Sequence, residues 1–140
     1  MSPQRDLSPE GFQAAGAAAL PGLIGMEVLE VEAGRVRSRI DVVAHHLAPN
    51  GYLHAGTVVT LADTSCGYGC LATLPEGASG FTTIELKSNF LRTVTVGGIG
   101  CVATMRHGGR TTQLWDAEVT AEATGAVLAV FRCTQLVLRA

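Results

Sequence analysis

The feature that most constrains this fold is a run of helical length, residues 56–74, that is made largely of small side chains and contains no proline. Pro75, Gly77 and Gly80 close it. A helix of small residues can approach a flat surface closely and can be apolar nearly all round when it is buried. The run therefore predicts one long helix packed closely on a sheet.

A single carboxylate, Asp63, interrupts this run. It shares a helical stripe with Val59, Cys66 and Cys70, which are all apolar and lie four residues before it and three and seven after it. A carboxylate on a core-facing side is costly unless it is paired or used. Two interpretations remain open: Asp63 is satisfied by nearby hydroxyls and serves packing specificity, or it is a general base whose pKa burial raises.

The segments on either side of the helix are rich in β-formers. In residues 26–43 apolar and polar side chains alternate as in two antiparallel strands joined at Ala33-Gly34. The alternation slips by one residue between Val28 and Leu29, and a β-bulge there would restore one polar face. Four β-rich segments follow at residues 81–92, 98–109, 111–125 and 126–138, and we expect the last three to form a meander. The fold class is therefore α+β, with one antiparallel sheet wrapped around the long central helix.

The N-terminal part reads as a helical extension, residues 1–24, of a single domain that spans residues 1–140. Ser8 can cap a short amphipathic helix, Pro9 suits its first position, and Pro21-Gly22 is expected to end it. The apolar stretch 11–26 is too short and too interrupted to span a bilayer, so we expect neither a signal peptide nor a membrane anchor.

The amino-acid composition limits which kinds of partner and which compartment we expect for this protein. The chain is 47% hydrophobic and only 16% charged, which indicates that another subunit covers part of its surface and predicts a homo-oligomer. The net charge of −2 and the lack of a basic run argue against nucleic acid. The four cysteines contain no CxxC motif and are expected to be reduced core thiols, which suits the cytoplasm. The four histidines show no metal-ligand spacing.

The helix start offers a second chemical feature. A helix that begins near Gly56 presents unpaired backbone N–H groups and the positive end of its dipole to the loop before it. Donors aimed at a carbonyl oxygen that gains charge are typically worth ~3 kcal/mol of barrier in acyl transfer. One stretch could thus supply both an oxyanion site and a base.

Three segments, "NGYLHAGTVVTLADTSCGYG", "FTTIELKSNFLRTVTVGG" and "RHGGRTTQLWDAEVT", resemble the hotdog-fold acyl-CoA thioesterases of the phenylacetate-pathway and 4-hydroxybenzoyl-CoA thioesterase type. The likeness covers about residues 25 to 138 and is most specific in His-x-Gly followed by Leu-Ala-Asp-Thr. It implies hydrolysis of an acyl-CoA thioester by water, without a metal or redox cofactor. It also implies that two subunits join their sheets, share each site across the interface, and often pair into a tetramer.

The resemblance also assigns residues. Asp63 would act as nucleophile or as base for the attacking water, His54 would help to position the substrate, and the N–H of Ala55 or Gly56 would polarise the carbonyl. Thr83 would help to hold the water, although β propensity alone also explains it. The resemblance also points to four residues that would bind the CoA phosphates: Arg92, Arg110, Thr111 and Thr112. The sequence by itself favours ordinary solvated polarity at strand ends as the explanation of these residues.

The chain departs from the family pattern at two positions. Ala55 replaces the middle glycine of the common His-Gly-Gly, which preserves the N–H and adds one methyl group. Ala48 stands six residues before His54, where many relatives have Asn or Gln, so the orienting amide is either absent or replaced by Asn50.

Two rival functions follow from the same fold. A hotdog enoyl-CoA hydratase would need an Asp and a His a few residues apart in a hydratase loop, and no segment matches that pattern. A non-catalytic acyl-CoA-binding module would normally carry a DNA-binding segment, and no segment of this sequence is expected to be one. A purely structural role is a third alternative, and it would leave the buried carboxylate unexplained.

Overall fold

The computed structural model describes residues 4–140. The predicted architecture is confirmed: a six-stranded antiparallel sheet, in the order β1-β2-β4-β5-β6-β3, curves around one long helix. Strands β4, β5 and β6 form the predicted meander. The elements are α1 (Pro9–Gly16), α2 (Leu20–Leu23), β1 (Glu27–Glu32), β2 (Arg35–Val42), α3 (Ala55–Ala72), β3 (Ala78–Phe90), β4 (Gly97–Gly108), β5 (Thr112–Ala121) and β6 (Val127–Arg139).

The N-terminal helix begins as predicted but ends early. The Ser8 side chain accepts a hydrogen bond from the Gly11 N–H at 3.0 Å, and Pro9 occupies the first turn. The helix α1 ends at Gly16, whereas Pro21 lies in the first turn of α2. The prediction that Pro21-Gly22 ends one helix is therefore wrong, because a proline in a first turn loses no intrahelical hydrogen bond and favours helix initiation.

The first hairpin has the predicted turn and bulge. Gly34 adopts a φ of +82°, a left-handed conformation that glycine accepts without strain. The pairing register of β1 and β2 shifts between Val28 and Glu30, where the alternation slips.

The small residues of α3 allow the helix and sheet to approach closely. Leu61, Ala62 and Cys66 face the sheet and are fully buried. A Cβ atom added at Gly69 would collide with the Trp115 indole, which is itself completely buried. The small-residue pattern is thus a packing requirement.

The strand β3 forms one edge of the sheet. Only β6 pairs with it among residues 4–140. Three large apolar side chains on β3 are exposed: Ile84, Leu86 and Phe90. Within the same residues, no helix is both long enough and apolar enough to cross a membrane.

Candidate active site

The long helix brings Asp63 against the edge strand β3. The Thr83 hydroxyl donates a hydrogen bond to Asp63 Oδ1 at 2.9 Å. The register of β3 on β6 shifts between Thr83 and Glu85, so a bulge lies directly beside this contact. Bulges of this kind redirect a side chain where a strand must present it at a site. The structure therefore brings into contact the two residues that the resemblance assigned to the attacking water.

The environment of Asp63 differs in one respect from the expectation. The prediction that its helical stripe faces the core is only half right: Cys66 and Cys70 are fully buried, whereas Val59 and Asp63 are half-buried. The core-facing side is rotated toward Leu61, so Asp63 lies at the flank of the helix. Burial nevertheless raises the pKa of Asp63, and the hydrogen bond from Thr83 opposes that rise in pKa without cancelling it.

The helix start is capped by a side chain of the preceding loop. His54 is the N-cap of α3, and its Nδ1 accepts a hydrogen bond from the Gly56 N–H at 2.7 Å. In the neutral ring the proton therefore lies on Nε2. Because this bond occupies the Gly56 N–H, the amide left for a carbonyl oxygen is that of Ala55. Ala55 is an exposed residue, and its N–H has no hydrogen-bond acceptor among residues 4–140.

The acid and the free amide lie on different turns of one helix. Eight residues separate Ala55 from Asp63. At 1.5 Å per residue they are about 12 Å apart along the helix axis. A base or nucleophile and an oxyanion donor must act on the same carbonyl group, and reacting atoms lie only about 3 to 3.5 Å apart. One chain alone therefore does not bring the two halves of the predicted site together.

The loop before α3 uses Asn50 locally. Its Oδ1 accepts a hydrogen bond from the Tyr52 N–H at 3.1 Å, and the Ala48 N–H donates to the Tyr52 carbonyl at 2.7 Å. The side-chain oxygen of Asn50 thus closes its own turn, and only its Nδ2 group remains for a substrate.

The candidate phosphate ligands lie at opposite ends of the sheet. The Arg92 N–H donates to the Leu128 carbonyl at 3.3 Å, while the Thr111 carbonyl accepts from the Val137 N–H at 2.9 Å. These two points are nine residues apart on β6, or about 30 Å along the strand. Arg110 precedes Thr111 in the β4–β5 turn, and Thr112 after it is the first residue of β5. Thr83 pairs with Gln135, about 7 Å along β6 from Val137, so the turn is the nearer candidate.

Two buried glutamines on the inner face of the sheet were not predicted from the sequence. Gln113 on β5 and Gln135 on β6 are register partners, and both are almost completely buried. Gln135 also pairs with Thr83 on β3. The signal was available: Gln135 occupies an inward position in the alternation of β6, between Cys133 and Val137. In residues 4–140, no three His, Cys, Asp or Glu side chains come together as a metal site would require.

A six-stranded antiparallel sheet wrapped around a long helix that carries a half-buried acid is the architecture of the hotdog fold. The family model of the Thioesterase superfamily matches residues 50–128. This match covers more than half of the chain, and the chain belongs to that family.

Relatives and solved structures agree with this family. The chain is 32% identical over 111 residues to a 1,4-dihydroxy-2-naphthoyl-CoA hydrolase from Listeria monocytogenes, covering 79% of this chain and 89% of the relative. A mutant thioesterase from Pseudomonas aeruginosa superposes with a TM-score of 0.89 at 24% identity, covering 100% and 97% of the two chains. The Escherichia coli PaaI protein from the phenylacetic acid degradation operon has a TM-score of 0.79 at 25% identity, covering 95% and 96%.

Proposed function

We propose that this protein hydrolyses an acyl-CoA thioester to a free carboxylic acid and CoA. The observation that carries the proposal is the Asp63–Thr83 pair, because burial raises the pKa of a carboxylate that a hydroxyl group orients beside an edge strand. A thioester hydrolase needs a group of this kind, and the Listeria relative is itself named as the hydrolase of a CoA thioester.

In the proposed reaction Asp63 acts either as general base for water or as nucleophile. In the first case Asp63 takes a proton from water, the water oxygen bonds to the carbonyl carbon, and the C–S bond then breaks. The proton finally passes to the leaving thiolate. The Ala55 N–H and the helix dipole stabilise the charge that develops on the carbonyl oxygen. Thr83 holds the carboxylate, and His54 fixes the start of the helix through Gly56.

We propose that two subunits share each site, in a dimer or a dimer of dimers. The separation of about 12 Å between Ala55 and Asp63 supports this arrangement, since a partner's helix start can approach where the same chain's cannot. The exposed edge of β3 supports it too, because an unpaired strand edge with apolar side chains is a template for pairing.

The remaining ligands are assigned by position. The β4–β5 turn, with Arg110, Thr111 and Thr112, is proposed to bind CoA phosphates because it lies near the level of Thr83 on the sheet. Arg92 would contact the CoA phosphates only in one of two cases. Either the CoA moiety extends to the opposite end of the sheet, or the CoA belongs to a substrate bound at the neighbouring subunit's site. Asn50 is proposed to orient the substrate through Nδ2. The four unpaired thiols support a reducing compartment, and we propose the cytoplasm.

The test is a thiol-release assay of wild type and Asp63→Asn with short-chain, long-chain, benzoyl, phenylacetyl and 1,4-dihydroxy-2-naphthoyl CoA thioesters. The amide keeps the shape of Asp63 and removes the base, so kcat should fall by at least ~100-fold. Asp41→Asn, an exposed strand carboxylate paired with Arg39, is the matched control and should keep wild-type activity. Activity of Asp63→Asn within a few-fold of wild type would refute the mechanism. Binding of these thioesters without CoA release from any of them would instead favour a non-catalytic binding module.

A further inference from the structure

A chain of hydrogen-bonding side chains leads from Asp63 into the core. Thr83 Oγ1 lies 2.9 Å from Asp63 Oδ1 and 2.8 Å from Gln135 Oε1. Gln135 Nε2 lies 3.3 Å from Cys133 Sγ. Gln135 is completely buried and is the register partner of Thr83, so β3 and β6 hold the two side chains together.

The Thr83 hydroxyl has one proton and faces two oxygen atoms. It can donate to Asp63 or to Gln135, but it cannot satisfy both. An ionised carboxylate attracts the proton more strongly than a neutral amide oxygen does. When Asp63 is charged, the Gln135 oxygen would then face a lone pair of Thr83, which a buried polar group does not tolerate without loss of stability.

Rotating the Gln135 amide by half a turn resolves this conflict, because its oxygen and nitrogen ends have nearly the same shape. With Asp63 ionised, Nε2 donates to Thr83, Thr83 donates to Asp63, and the Cys133 thiol donates to Oε1. With Asp63 protonated, the carboxyl proton is donated to Thr83 and Thr83 donates to Oε1. Nε2 then donates to Cys133, as the 3.3 Å distance between these atoms allows. In each protonation state one arrangement therefore gives every donor along this chain an acceptor of the right kind.

We propose that Gln135 is a positioning residue for Asp63, and that its amide reverses each time the carboxyl group gains or loses a proton. Its use in catalysis rests on the proposed function, in which Asp63 accepts the proton of water. By offering an acceptor to Thr83, Gln135 stabilises the protonated acid that this step produces.

Other groups around Asp63 do not supply this coupling. No Lys, Arg or second carboxylate forms an ion pair with Asp63 within residues 4–140. The neighbouring titratable groups on the elements packed around it are the thiols of Cys66 on α3 and Cys133 on β6. The hydrogen bond with Cys133 and burial raise the pKa of Cys66, so this thiol stays neutral near physiological pH. The charged side chains of β3 nearest to Thr83, Glu85 and Lys87, are exposed.

The first experiment uses the wild-type protein. The side-chain amide resonances of Gln135 are followed by 15N–1H NMR across the pH titration of the Asp63 carboxyl carbon, which Asp63→Asn identifies by its absence. We expect the Gln135 resonances to shift with the same midpoint as Asp63, and to lose this transition in Asp63→Asn. Gln113 is an internal control, because its amide bonds to Thr73 and Trp115 and should not follow Asp63. Constant Gln135 resonances through the Asp63 transition would overturn the proposal.

The second experiment removes the amide with Gln135→Met and uses Gln113→Met as its matched control. Without Gln135 the protonated state leaves the Thr83 proton without its acceptor, whereas the ionised state keeps the hydrogen bond from Thr83 to Asp63, so the pKa of Asp63 should fall. The acidic limb of kcat/KM should move down with it, and kcat should fall ~3- to 10-fold with KM nearly unchanged, because a weaker base accepts the proton less readily. In a Thr83→Val background the added Gln135→Met change should have no further effect on the Asp63 titration.

Two failures are distinguishable. If Asp63→Asn remains active, the proposed function is wrong, while the Asp63 and Gln135 titrations still decide the coupling. If Asp63→Asn is inactive but Gln135→Met titrates like the Gln113→Met control, the function stands and the role of Gln135 is refuted.

Discussion

The substitution Ala55→Pro should remove one backbone N–H from the start of α3 and change little else. Ala55 is the first residue of the helix, where proline is favoured because its fixed φ is already helical. His54 before it has φ −70° and ψ 134°, the extended conformation that a following proline requires. The residue is also exposed, so the ring has room. The variant therefore isolates the amide from the fold.

The expected loss follows from the role of that amide. Removing one oxyanion donor typically lowers kcat by about 10²- to 10³-fold. Asp63→Asn should lower it by at least ~100-fold. Each variant alone should thus retain about one per cent of wild-type activity or less.

Mixing the two variants tests whether the site is shared between chains. If the Asp63 of one chain acts with the Ala55 N–H of its partner, a mixed dimer contains one site with both defects and one site with neither. After random reassociation of equal amounts, half of the dimers are mixed, so about one quarter of wild-type activity should return. This fraction is the same for a dimer and for a dimer of dimers.

The assay is CoA release by the two variants after joint unfolding and refolding, compared with each variant refolded alone. As a control, each single variant is refolded together with an Ala55→Pro/Asp63→Asn double variant. No activity should return, because no mixed dimer then contains a site with both groups intact. If the mixture stays at the level of the separate variants, each site belongs to a single chain and the argument from the helix length is wrong. Full activity of Ala55→Pro alone would show that this amide does not hold the oxyanion.

Three further predictions concern stability and binding. Burial raises the pKa of Asp63, so the charged carboxylate destabilises the fold as pH rises through that pKa. Asp63→Asn should therefore have a higher melting temperature than wild type at pH 8. This difference in melting temperature should disappear below the pKa of an Asp in the unfolded chain, about 3.9. His54→Ala should lower kcat/KM about 10-fold and lower the free energy of unfolding by about 1 kcal/mol, because it removes the cap on the Gly56 N–H but leaves the backbone in place. If His54→Ala is as inactive as Asp63→Asn, the imidazole itself does the chemistry. Arg110→Ala should raise KM for an acyl-CoA but not for the matching acyl-pantetheine, whereas the same selective effect from Arg92→Ala would move the phosphates to the other end of the sheet.

Local patterns were sufficient for most of the fold. The small-residue run predicts α3, and the slip in alternation predicts the bulge between Val28 and Glu30, because both depend on side-chain periodicity within one segment. The end of the first helix was not predictable in this way. A proline is compatible both with the end of a preceding helix and with the first turn of a following one, and packing of the chain decides that Pro21 takes the second position.

The site was less predictable because its contacts join distant segments. Nothing in the spacing of Asp63 and Thr83 indicates a hydrogen bond, which depends on the register of β3 against α3 and on a bulge one residue away. Arg92 and Arg110 lie at opposite ends of the sheet because Arg92 precedes β4, Arg110 follows it, and β4 runs the length of the sheet between them.

The alanine that replaces the common glycine beside His54 shows how a departure from a family pattern is resolved by position. A glycine would be required at this point only if the backbone needed a positive φ, and no non-glycine residue among those described has one. Ala55 lies in the first turn of a regular helix, where a methyl group is compatible with the backbone and points away from the axis. What a thioester carbonyl needs from this residue is its N–H, which alanine and glycine supply equally. The replacement therefore preserves the N–H that we propose as the oxyanion donor, while it lowers the conformational entropy lost when the helix start forms.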